Sequence, residues 1–104
     1  MKKFEFEIDS VFNMTAQKGV VRAFAGKVRD GSVQEGDHVV LEADDNVFHL
    51  TVEGCEIFRK KLEYLTPESG MCGILARIEP EVEFRELQQE RGLDYLRGKK
   101  IRND

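Results

Sequence analysis

Residues 47–59 read Val47-Phe48-His49-Leu50-Thr51-Val52-Glu53-Gly54-Cys55-Glu56-Ile57-Phe58-Arg59, and their alternation decides the fold class. Phe48, Leu50 and Val52 fall on one face, with His49, Thr51 and Glu53 on the other. Successive side chains of a strand point to opposite faces, so this pattern is a strand with one side on a core. Gly54 breaks the register before Glu56-Ile57-Phe58. The same period appears where Phe4, Phe6 and Ile8 alternate with Glu5, Glu7 and Asp9. Val20 to Val28 is apolar and β-branched but contains Gly26, which predicts a bend or bulge. His38-Val39-Val40-Leu41-Glu42 reads as a further strand. Met71 to Ile78 is a near-continuous apolar run of strand length, predicted to be buried on both sides.

Turn chemistry separates these runs: Arg29-Asp30-Gly31-Ser32, Glu35-Gly36-Asp37, Ala43-Asp44-Asp45-Asn46, and a loop from Leu65 through Pro67 to Gly70. About six short strands at near-regular spacing, with no helix among them, predict an all-β barrel or sandwich. The end departs from the pattern. Phe84, Leu87 and Arg91 lie at near-helical spacing with Gly92 as a stop, so residues 83–92 are read as a short helix or turn. Leu93-Asp94-Tyr95-Leu96 is then expected to be a last strand.

Composition limits what such a domain does. A chain of 104 residues, 40% of them hydrophobic, buries one core and leaves no room for a second module. Residues 1–104 are therefore read as one domain, with 80–104 a divergent C-terminal extension; the first Met and the polar end are read as those of a complete small protein. The net charge is −4, opposite to the basic excess of a sequence-independent nucleic-acid binder. Residues 1–80 hold 10 basic and 14 acidic side chains; the rest hold 6 of each, with Arg97, Lys99, Lys100 and Arg102 crowded near the end as a solvated basic tail. No apolar run is long enough for a membrane span and no export signal opens the chain, which points to the cytoplasm. Cys55 and Cys72, 17 residues apart, have neither metal-site nor redox spacing and are read as reduced core thiols.

The sequence holds no enzyme signature. A nucleoside triphosphate site needs glycines followed by a lysine and a hydroxyl, but Asp37 follows Gly31-Ser32-Val33-Gln34-Glu35-Gly36 and would repel phosphate. His38 and His49, set to face each other across a hairpin, have no further ligand at metal-site spacing, so they are read as surface histidines and no metal or cofactor is expected. Neither cysteine carries a signature of activation, and no carboxylate is marked by an apolar setting. The stretch that stands out is Glu56-Ile57-Phe58-Arg59-Lys60-Lys61, where an acid and an aromatic precede three cations at a strand end. Such an end suits a phosphodiester or a nucleotide.

In these residues the chain resembles the second domain of elongation factor Tu and related translational GTPases. The resemblance covers roughly residues 4–79. It begins at Ile8-Asp9-Ser10-Val11-Phe12 and continues in Gly26-Lys27-Val28-Arg29-Asp30-Gly31-Ser32-Val33-Gln34-Glu35-Gly36-Asp37, which is similar to the family's double turn. Val52-Glu53-Gly54-Cys55-Glu56-Ile57-Phe58-Arg59-Lys60 and Gly70-Met71-Cys72-Gly73-Ile74-Leu75-Ala76-Arg77-Ile78 resemble two of its strands in the same order. The resemblance implies a small closed antiparallel β-barrel, non-catalytic, with the 3′ end of tRNA or the ribosome as partner. By the same resemblance Glu56 would contact the ribose hydroxyls of a terminal adenosine, Arg59 would lie at the acceptor end and Leu75 would line the pocket wall, with Lys60 and Lys61 as additional contacts. The alternative is a protein-interaction barrel that docks a partner on its C-terminal segment through Phe84, Leu87, Tyr95 and Leu96, without RNA.

Overall fold

The computed structural model describes residues 3–16, 19–58 and 60–103. Six strands form a closed ring: β1 (Glu5–Ala16), β2 (Gly19–Asp30), β4 (His38–Ala43), β5 (Asn46–Ile57), β8 (Met71–Glu79) and β9 (Lys100–Asn103). Around the barrel the order is β1-β2-β8-β5-β4-β9 and back to β1, and every pairing is antiparallel. Each of the six strands thus has a neighbour on both sides over part of its length, while the β1–β2 hairpin extends beyond its pairing with β9 and β8. β5 is long enough to carry β4 on its first half and the short β6 (Lys60–Leu62) on its second. β3 (Val33–Gln34) and β7 (Tyr64–Leu65) form a separate ladder that buries Val33 and Leu65.

The alternation of the sequence is the inside–outside pattern of this ring. Phe4, Phe6, Ile8, Phe48, Leu50 and Val52 are buried in one core with Phe24, Leu41, Ile74 and Ile101. Both predicted register breaks are bulges. β1 has Asp9 as an extra residue between Ile8↔Gly26 and Ser10↔Ala25, and β5 has Glu53 between Val52↔Ala76 and Gly54↔Leu75. Gly26 is required at the first of these, since a Cβ there would lie 2.0 Å from the Glu7 carbonyl oxygen. The Gly36 turn is held from both sides. The Gly36 N–H donates to Val52 O (2.8 Å), the Val52 N–H donates to Asp37 O (2.9 Å), and the Gln34 N–H donates to the Asp37 carboxylate (3.0 Å).

Four expectations change. Met71–Ile78 is not buried on both sides: Cys72, Ile74, Ala76 and Ile78 face the core, while Gly73, Leu75 and Arg77 between them are half-exposed on the outer face. A barrel stave has only one core, and the other side of this one carries Gly73, Leu75 and Arg77 on the surface. Residues 93–96 form a 3₁₀ turn, not a strand. The last strand is β9, so the segment read as a solvated basic tail completes the barrel. Ile101 points inward, fully buried, while Lys100 reaches Glu5 and Glu7 on β1, Arg102 reaches Glu5, and Lys99 reaches Asp44. The acids of the first strand thus neutralise the cations of the last. Finally, His38 and His49 are not opposite: His38 pairs with Thr51 and His49 with Val40.

The expected helix is α1 (Glu81–Arg91), ended by Gly92 at φ 83°. It closes the barrel mouth beside β2. Phe84 is fully buried, its ring edge-on to Phe48 (centroids 5.1 Å) and Phe24 (6.4 Å). Arg22, on the inward face of β2 and 2% exposed, lies over the same ring. Its Nη1 donates to both carboxylate oxygens of Glu81 (2.6 and 2.8 Å) and its Nη2 to Gln88 Oε1 (3.3 Å). A buried guanidinium survives only when its charge is matched and its N–H groups are satisfied. α1 supplies these matching groups, and Nε is left without a hydrogen-bond partner among the described residues.

Both cysteines are free and buried. Burial, reinforced by Cys72, pushes the Cys55 thiol up to about 11, and burial raises Cys72 as well. Among the described residues no helix is long and apolar enough to cross a membrane.

Candidate functional site

The outer face of β2, β8 and β5 is built from two rows of three residues. Strand register sets Ala23 beside Leu75 and Leu75 beside Gly54; in the next row Ala25 lies beside Gly73 and Gly73 beside Glu56. Four of the six are Ala or Gly, so the surface is flat, with Leu75 and Glu56 rising from it at diagonal positions. Phe12, paired with Ala23 from β1, extends the first row and is 55% exposed.

Two of these small residues are not demanded by the fold. A Cβ on Gly73 would lie 3.5 Å from Glu56 Cγ and 3.9 Å from Glu56 Oε1, and one on Gly54 would lie 3.5 Å from Leu75 Cδ1, all ordinary contacts. Neither backbone is left-handed. Glycine within a strand weakens it by roughly 0.5–1 kcal/mol relative to alanine, and a ligand approaching the backbone is one reason to keep it. Gly26 on the same sheet makes the contrast, because there the protein itself fills the space.

Glu56 is half-exposed and its carboxylate has no hydrogen-bond or ion-pair partner among the described residues. It is therefore free to accept hydrogen bonds from a ligand lying over Gly73. Arg77, next outward residue after Leu75 on β8, is occupied by an ion pair with Glu53. Lys61 sits opposite Glu56 in the β5–β6 register, but its Nζ turns to Glu35 (3.8 Å) across an open groove of about 590 Å³ lined also by Gln34, Leu62 and Glu63. Lys60 is exposed and has no ion pair among the described residues. Arg59 lies outside the described residues. No protein-family model matches this chain, and no curated protein does.

Of the residues singled out in the sequence, Glu56 and Leu75 are brought together, and Lys60 and Lys61 border them on β6. Ala23, Ala25, Gly73 and Phe12 complete the face and were not foreseen as site residues. The signal for them was present: Ala23 and Ala25 alternate with Arg22, Phe24 and Gly26, and Gly73 alternates with Cys72 and Ile74. No group of three metal-capable side chains forms among the described residues. Of the apolar groups in the C-terminal segment, Phe84 and Leu96 are buried within the barrel and Leu87 packs against its core.

Proposed function

We propose that this barrel is a non-catalytic, cytoplasmic binding module of translation, like the second domain of elongation factor Tu, that takes the 3′-terminal nucleoside of an RNA on the outer face of β5 and β8. The observation that carries the reading is the diagonal placement of Glu56 and Leu75, 19 residues apart in sequence and paired respectively with Gly73 and Gly54, glycines that the fold does not require. A planar base suits the flat bed of Gly73 and Ala25 with Leu75 at its edge. The Glu56 carboxylate, without a partner among the described residues, suits the vicinal ribose hydroxyls, which distinguish RNA from DNA. Lys60 and Arg59 at the strand end would meet phosphate. The net charge of −4 argues for recognition of an end and against coating of a polyanion.

The test is binding of a short RNA ending in adenosine, compared with the same RNA carrying a 2′-deoxy terminus. The reading expects the deoxy terminus and Glu56→Gln each to weaken the complex by about tenfold, the loss of one charge-assisted hydrogen bond. Equal binding of both RNAs to the native protein would remove the terminal nucleoside from this face.

A further inference from the structure

Phe58 is the one large apolar residue at positive φ among the described residues. It follows β5 at the hairpin into β6, where Ile57 pairs with Lys60, so the chain reverses immediately after Ile57. Its φ is 50° and it is 96% exposed. Exposed hydrophobic residues scattered singly are ordinary and need no explanation. A bulky aromatic in the left-handed region is a different matter, because its Cβ crowds the backbone and Gly, Asn or Asp fit there with less strain. The barrel has an ordinary solution to the same problem: the β4–β5 turn places Asp44 at φ 57°. At the β5–β6 turn an aromatic is held in a strained conformation with its ring in water. Strain of this kind persists only where the surrounding structure holds it, and it clusters at functional sites.

What the ring could serve is set by its neighbours. Glu56, whose carboxylate has no partner among the described residues, is two residues back in sequence near the end of β5. Lys60 and Lys61 follow on β6, both exposed, Lys60 without an ion pair among the described residues and Lys61 within 3.8 Å of Glu35. An exposed ring among cations, one short step from a site for a terminal nucleoside, matches the next nucleotide of the same strand: a base to stack and a phosphate to neutralise. We propose that Phe58 is the stacking platform for the base that precedes the terminal nucleoside. The proposal rests on the RNA reading above and adds a second subsite to it.

The experiment compares wild type, Phe58→Asn, Phe58→Trp and Glu56→Gln with two probes, adenosine alone and a five-nucleotide RNA ending in adenosine. Adenosine is followed by chemical-shift titration and the RNA by fluorescence anisotropy. Phe58→Asn should raise the melting temperature, since asparagine tolerates the left-handed turn, and should weaken the RNA complex by about tenfold. Adenosine binding should be unchanged in Phe58→Asn and reduced in Glu56→Gln, and Phe58→Trp should keep the RNA affinity. If Phe58→Asn binds the RNA as wild type does while Glu56→Gln does not, the platform is refuted and the terminal-nucleoside site stands. If wild type binds neither probe, both fall together. If Phe58→Asn loses a protein partner from lysate and RNA binding is intact, the residue is a protein contact and the platform is again refuted.

Discussion

The barrel mouth under α1 and the outer face of β5 and β8 solve opposite problems. At the mouth every large group is used internally: Phe84 fills the opening against Phe24 and Phe48, and Glu81 and Gln88 match the buried charge of Arg22. On the outer face the groups are spare. Glu56 has no described partner, and Gly54 and Gly73 leave room that a methyl group would fill without a clash. Substitutions at the mouth should therefore act on stability, and substitutions on the face should act on binding. The difference teaches where to look for function in a barrel whose net charge names no ligand.

The sharpest way to break the contrast is at the mouth. Phe84→Ala leaves a cavity at the junction of two other rings and should destabilise by about 4 kcal/mol in urea unfolding. A loss under 1 kcal/mol would mean that α1 is not part of the core. Glu81→Ala strands the Arg22 guanidinium, 2% exposed, and should cost about 3 kcal/mol, at the low end for a broken buried pair because Glu81 is itself partly exposed. Replacing both partners by apolar groups, Arg22→Met with Glu81→Leu, should recover most of that loss in a double-mutant cycle. Gly26→Ala sharpens the comparison from within the sheet. Its Cβ would press on the Glu7 carbonyl, and a loss of about 2–3 kcal/mol is expected, whereas Gly73→Ala should lose none.

A smaller effect follows from the thiols. Cys55 is raised from 9.0 to about 11 by burial, so the native state holds the proton that the unfolded chain releases first. The stability this contributes is complete below pH 9.0 and is lost as the pH rises toward about 11. Melting temperatures should fall across that window and recover in part in Cys55→Ala relative to its own value at neutral pH. A flat alkaline profile would contradict the burial of this thiol.

Much of the fold was legible because one face of a strand must be apolar. Phe48, Leu50 and Val52 could not mislead, and Gly26 and Gly54 marked two of the three register shifts, the third lying between Glu5 and Phe6. Where the reading failed, a second demand hid the period. Met71–Ile78 looked buried on both sides because the outer positions hold Gly73 and Leu75, which belong to the candidate site. β9 looked like a solvated tail because Lys99, Lys100 and Arg102 outnumber Ile101, the single inward residue; the acids that neutralise them, Glu5, Glu7 and Asp44, come from β1 and the β4–β5 turn. Arg22 gave no sign of burial, since its partners Glu81 and Gln88 lie 59 and 66 residues away. Glu56 and Leu75 were legible as individuals, but not the flat bed of small residues between them, which only strand register creates.

The most direct test of the central claim is Gly73→Ala, read for folding and for binding of an RNA ending in adenosine. The methyl group fits the unbound protein and reduces the freedom of the unfolded chain, so the melting temperature should hold or rise by about 2–4 °C. It also occupies the bed beside Glu56, so RNA binding should fall at least tenfold. Undiminished RNA binding by a fully folded Gly73→Ala protein would contradict the account.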